Sequence, residues 1–150
     1  FFERFDEEKY GTDGGPLHDP CVIAYLLIEG DRTADAQALR RAEPDWRSEP
    51  LLLVEFSNLL ATQVRAKALS AAQAKSLLES AAQQVAAWVE VPHAGALTVA
   101  LERQVSAYDA RVVACARRLS VPLVTEDSRL RAATPGLSLS IAEAVSRSAG

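Results

Sequence analysis

Long apolar runs are missing from this chain of 150 residues. The strongest, "CVIAYLLI" and "LLLVEF", fall well short of the ~20 residues that cross a bilayer, so no membrane partner is expected. Cysteine is scarce, with only Cys21 and Cys115. Each sits in an apolar helical pattern, which reads as a buried inert thiol rather than a disulfide or zinc pair and fits a reduced, cytoplasmic compartment. The opening "FFERFDEEKY" has no positive segment followed by an apolar one, which argues against a secretory signal. It begins with Phe1 rather than Met, as expected of a fragment or processed form. Positive charge is not in excess either. The net charge of −4 argues against general affinity for polyanions, and a nucleic-acid site would need a local basic patch or bound cations. Internal repeats and low-complexity tracts are absent.

What remains has the balance of one soluble domain, with 49% apolar and 24% charged residues and enough length to bury a core. Residues 1–18, ending in "EKYGTDGGPLH", lack helical or strand periodicity and read as an irregular lead-in. Asp19 is placed to cap a helix with Pro20 at its first position, running to about Leu27. A second helix, "TADAQALRRA", is expected with Asp31 or Thr33 as its cap. "EPDWRSEP" reads as a turn. Pro50 then opens a long helix whose apolar positions Leu52, Phe56, Leu59, Leu60 and Val64 keep the 3.6-residue period. Ser70 caps "AAQAKSLLESAAQQV", and "AWVEVP" reads as a short strand. Helical periodicity returns over about 96–105 and 107–118. The strand "VPLVTED", the helix "SRLRAA", the strand "LSLSI" and the helix "AEAVSRS" follow, and the tail 146–150 is expected to fray. Short apolar strands alternating with helices predict an α/β fold, a central parallel sheet flanked by helices on both faces.

Four carboxylates stand beside strongly apolar sequence: Asp19 in "LHDPCVIAYLL", Glu55 in "LLLVEFSNLL", Asp109 in "SAYDARVVACA" and Asp127 in "VPLVTEDSRL". Buried acids need a partner, a proton or a cation. Singly, each has an ordinary reading, since Asp19, Asp109 and Asp127 could cap helices and Glu55 could be a solvated wedge. Together, their repulsion is tolerable around a divalent cation, and an all-oxygen set suits Mg²⁺ or Mn²⁺. Such a site could hydrolyse phosphodiesters. Arg65, Lys67, Arg111, Arg129 and Arg131 are candidate RNA phosphate contacts, though a solvated face explains each as well. His18 is expected in solvent and His93 in a turn.

From Asp19 to about Val145 the chain resembles a PIN domain of the ribonuclease-toxin type called virulence-associated protein C. "DPCVIAYLL" is similar to that family's opening Asp-x-x-Val motif, and "PLLLVEFSNLL" to its helix with Glu three residues before Asn. "SAYDARVVACARRLSVPLVTEDSRL" resembles its Tyr-Asp-Ala helix, strand and Thr-x-Asp-x-x-Leu segment. The resemblance implies a PIN-like fold over 19–145 with Asp19, Glu55, Asp109 and Asp127 as catalytic metal ligands. It implies supporting polar roles for Asn58 and Thr125. It further implies a Mg²⁺- or Mn²⁺-dependent ribonuclease, a homodimer and a cognate antitoxin. In that family the first Asp ends an apolar strand, and "TDGGPLHD" cannot form one, so the first strand is expected to be missing. The segment 1–27 instead resembles the C-terminal His-Asp-Pro segment of inosine–uridine nucleoside hydrolases. Three readings follow: an active endoribonuclease, a catalytically impaired PIN-fold binding module, or a nucleoside N-ribohydrolase fragment in which His18 protonates the leaving group.

Overall fold

The computed structural model describes residues 16–150. Apart from residues 16–18, the expected lead-in lies outside the described residues. Five two-residue strands form a parallel sheet in the order β3-β2-β1-β4-β5. They are β1 (Leu17–His18), β2 (Arg47–Ser48), β3 (Ala87–Trp88), β4 (Leu123–Val124) and β5 (Ser138–Leu139). Among the described residues, eight helices surround them: α1 (Pro20–Leu27), α2 (Thr33–Ala42), α3 (Leu51–Arg65), α4 (Ala71–Gln84), α5 (His93–Arg103), α6 (Ala107–Leu119), α7 (Ser128–Ala133) and α8 (Ile141–Ala149).

Local chemistry sets most of the boundaries. Asp19 accepts the Cys21 N–H at 3.2 Å, with Pro20 at the first helical position. Ser70 with Gln73 and Ser140 with Glu143 form reciprocal caps that start α4 and α8. Ser106 caps α6 by accepting from the Asp109 N–H, so Asp109 is not the cap. Neither Asp31 nor Thr33 caps α2: Arg32 holds that position without a side-chain bond. Thr33 instead donates to the Ile28 carbonyl and accepts from the Gly30 N–H. α5 starts at His93, earlier than the apolar period suggested, because Pro92 fixes extended backbone just before it. The tail is helical rather than frayed through Ala149, with the Ser148 hydroxyl donating to Glu43 at 2.6 Å.

Two strands correct the sequence expectation. The first strand is present, and β1 lies at the centre of the sheet between β2 and β4. Only two residues are needed: Leu17 N–H donates to the Pro122 carbonyl at 3.0 Å and Asp19 N–H to the Val124 carbonyl at 3.1 Å. β2 lies within the expected turn "EPDWRSEP", and its Ser48 hydroxyl donates to the His18 carbonyl at 2.8 Å.

Alternation along the strands divides the core. Leu17 and Leu123 join Val99, Val113 and Cys115 in one cluster. Val124 joins Trp46, Phe56 and Ile141 in the other. His18 is on this second side, wholly buried, with its ring stacked on Trp46 at 4.3 Å. The expected solvated His18 is therefore a core residue. Burial lowers its pKa to about 3, and the nearby Arg47 backbone does not offset that. Among the described residues, neither ring nitrogen has a partner at hydrogen-bonding geometry.

Candidate active site

Parallel strands send their carboxyl ends to one edge of the sheet, where open α/β folds bind ligands. Asp19 follows β1 directly, while Thr125 and Asp127 follow β4. Glu55 comes from the second turn of α3 and Asp109 from the first turn of α6. The buried Thr125 hydroxyl is the hub, donating to Asp19 Oδ2 at 2.8 Å and accepting the Asp127 N–H at 3.1 Å. Asp127 Oδ1 also caps α7 through the N–H groups of Arg129 and Leu130. Asp19 and Asp127 thus cap helices and face the same edge, so the two readings of these acids are compatible.

The electrostatics tie the four acids together. Burial pushes the Glu55 carboxyl up to about 7, and the anions Asp19, Asp109 and Glu49 push the same way. Asp109 is raised by burial and then by Asp19, against the Ser106 hydrogen bond, with Asp127 adding to the rise. Asp19 is raised by burial, which outweighs the stabilising contacts from Thr125 and Cys21, and Asp127 adds repulsion. These are mutually repelling carboxylates, and among the described residues no cationic side chain offsets them. Among the described residues, no group of three or more His, Cys, Asp or Glu side chains stands arranged to hold a metal ion. The donors nevertheless fit a hard divalent cation by their chemistry, being all oxygen, with Asp19 buried, Glu55 and Asp109 partly buried, and the carboxyls of these three raised by burial and then by neighbouring anions.

Other expected site residues divide. Asn58 is exposed on α3, and among the described residues its side chain makes no hydrogen bond to the acids. Arg65 is exposed and bonded to Thr62, and Lys67 is exposed just beyond α3. Arg129 is exposed at the start of α7. Arg111, expected as an RNA contact, turns inward instead. Its Nε meets Glu49 Oε1 at 2.8 Å and its Nη2 donates to the Val91 carbonyl, because the buried Glu49 requires a cation. Its Nη1 lies 3.1 Å from His93 Nδ1, so His93 is a helix-start contact rather than a turn residue. Arg131 is likewise engaged, with the Thr125 carbonyl at 3.0 Å and Glu126 at 3.6 Å.

Sequence reasoning missed Glu49. It caps α3 by accepting the Leu51 N–H at 2.7 Å while holding Arg111. An acid just before a proline-led helix was the available signal. Both cysteines are free, Cys115 buried as expected and Cys21 only partly buried, with burial pushing each thiol up to about 12.

The PIN domain family model matches residues 17–134. This chain belongs to the PIN-domain family. The crystal structure of PAE2754 from Pyrobaculum aerophilum is similar in fold, with a TM-score of 0.74 and 23% identity over 91% of this chain and 96% of that one. A second likeness is short. The chain is 63% identical over 27 residues to the pyrimidine-specific ribonucleoside hydrolase RihA of Salmonella typhi, which is 18% of this chain. The corresponding figure for Klebsiella pneumoniae (strain 342) is 59%. The chain thus spans 9% of the length of these curated relatives. A PIN domain is a nuclease-type fold, and PIN-domain nucleases generally use divalent metals. Among the described residues, no helix is long and apolar enough to cross a membrane.

Proposed function

We propose that this chain is a Mg²⁺- or Mn²⁺-dependent endoribonuclease acting as the toxin of a toxin–antitoxin pair in the cytoplasm. The observation that carries this reading is the mutual repulsion of Asp19, Glu55, Asp109 and Asp127 at the carboxyl edge of a PIN sheet. Those four side chains would hold the cation. When bound, it would supply charge neutralisation at the phosphodiester and acidify a water molecule.

The chain's own residues have separate tasks. Thr125 fixes the rotamer of Asp19 through its hydroxyl. Glu55, with a carboxyl near 7, can hold or release a proton close to neutral pH. Arg65, Lys67 and Arg129 are the exposed cations available to RNA phosphates, whereas Arg111 and Arg131 are engaged in structural contacts. Domain limits of 19–145, with a separate lead-in over 1–18 and a tail over 146–150, belong to the same proposal, although β1 lies within that lead-in and α8 runs across the limit at 145.

Val54, Leu97 and Tyr108 stand out from the surface around one cleft, with Leu101 on the same helix as Leu97, and this face suits a homodimer. A small antitoxin with a basic tail would complement the acidic edge. The impaired-module reading rested on a lost first strand, and β1 removes that ground. A nucleoside hydrolase reading needs His18 at a substrate, and His18 is sealed against Trp46.

The test is Mn²⁺ titration by calorimetry with RNA cleavage in parallel, on wild type and Asp109→Asn. Wild type should bind Mn²⁺ and cut RNA, and the folded variant should lose at least about a hundredfold in cleavage rate. Unchanged cleavage by Asp109→Asn would sink the assignment.

A further inference from the structure

Beside the acids lies a cleft that the four carboxylates do not explain. Its volume is about 560 Å³, within the ~300–1,000 Å³ typical of small-molecule pockets. Asp19 and Glu55 share its lining with an apolar wall of Tyr25, Ile28, Phe56 and Leu59. Arg32 lines it too, with its guanidinium carbon 5.4 Å from the Tyr25 ring centroid. That guanidinium is fixed by two acids, Asp35 through Nε and Glu126 through Nη2, each at 3.1 Å.

We propose that this cleft is a nucleobase subsite, taking the unstacked base of the nucleotide next to the phosphodiester held at the acids, with the Tyr25 ring as its platform. This rests on the nuclease reading above. Three observations lead to it. The first is continuity: a nucleotide whose phosphate lies at Asp19 and Glu55 must place its sugar and base alongside, and this apolar space borders both acids.

The second is charge. Arg32 is already balanced by Asp35 and Glu126, so among the described residues the cleft's lining offers no unpaired cation to a phosphate and suits an uncharged group. The third is chemistry. An aromatic ring and a guanidinium plane are the surfaces on which single-stranded bases stack. Glu29, Asp31 and Gln63 interrupt the apolar lining with groups able to bond a base edge. An apolar helix from a protein partner would leave those groups unsatisfied.

The test uses the Asp109→Asn protein, with and without Tyr25→Ala, and single-stranded oligoribonucleotides carrying one 2-aminopurine, with Mn²⁺ present. Asp109→Asn should bind the oligonucleotide and change the 2-aminopurine fluorescence. Tyr25→Ala should weaken binding about tenfold and abolish the change, while Tyr25→Phe keeps both. Tyr25→Leu, which keeps apolar packing but lacks the ring, carries the comparison if the alanine variant melts early. Affinity and signal within twofold across Tyr25→Ala and Tyr25→Leu would overturn the subsite, as would no oligonucleotide binding by Asp109→Asn. An apolar peptide that occupies the cleft while the base signal stays unchanged would also overturn it. RNA cleavage by wild type is measured alongside. Cleavage without a base signal removes the subsite alone, and a Tyr25-dependent base signal without cleavage removes the nuclease reading alone.

Discussion

Glu49 and Glu55 flank the start of one helix, and the fold treats them oppositely. Glu49 is buried and fully answered, with the Arg111 guanidinium on one oxygen and the Leu51 N–H on the other. Glu126 is answered in the same way, by Arg32, Arg131 and the Ile141 N–H. Glu55 faces Asp19 and Asp109 instead, and its carboxyl is driven up to about 7. Where a buried acid serves the fold, this chain supplies a cation; at the carboxyl edge of the sheet it supplies more acids. Stability has been given up there, as at sites kept for binding.

The largest effect should come from breaking the answered pair. Glu49→Ala leaves Arg111 without its partner and should cost about 3–5 kcal/mol in denaturant unfolding. Replacing both by apolar residues, Glu49→Leu with Arg111→Met, should cost clearly less. The opposite sign is expected at the unanswered acid. Glu55→Gln should stabilise the metal-free protein by about 1 kcal/mol, a figure discounted for its half-exposed carboxyl, while weakening Mn²⁺ binding in calorimetry.

The pH dependence sharpens the contrast. Glu55 has a folded pKa near 7 against an ordinary 4.5, so its contribution is full below 4.5 and is lost as pH rises through 7. His18 has a folded pKa near 3 against an ordinary 6.5, so its contribution is full above 6.5 and is lost as pH falls toward 3. Metal-free melting temperatures should therefore fall on both sides of mildly acidic pH. Glu55→Gln should flatten the alkaline side alone, which a series of thermal melts checks. The smallest effect belongs to Asp127→Asn. Asn keeps the cap of α7, so stability should stay within about 0.5 kcal/mol of wild type, whereas Asp127→Ala should cost about 1 kcal/mol.

The helices were legible because their signals are local: Asp19–Pro20, Ser70 with Gln73, and the period through Leu52, Phe56 and Leu60. The four acids were legible because each interrupts apolar sequence. β1 and β2 were not. A two-residue strand has no alternation to read, and His18, Arg47 and Ser48 are polar residues in a buried sheet. His18 is apolar in effect only because Trp46 lies flat against it, a contact made by tertiary packing. The structural role of Arg111 was hidden for the same reason, since its partner Glu49 lies far back along the chain.

The brevity of β1 has a further consequence. At the centre of the sheet the first strand donates two backbone N–H groups, at Leu17 and Asp19, accepts the Ser48 hydroxyl at the His18 carbonyl, and buries the Leu17 and His18 side chains completely. That demand rests on three consecutive residues: an apolar one, a flat one that stacks on Trp46, and the aspartate. So short an entry concentrates the tie between the sheet's centre and its acidic edge in those three residues, with Asp19 belonging to both.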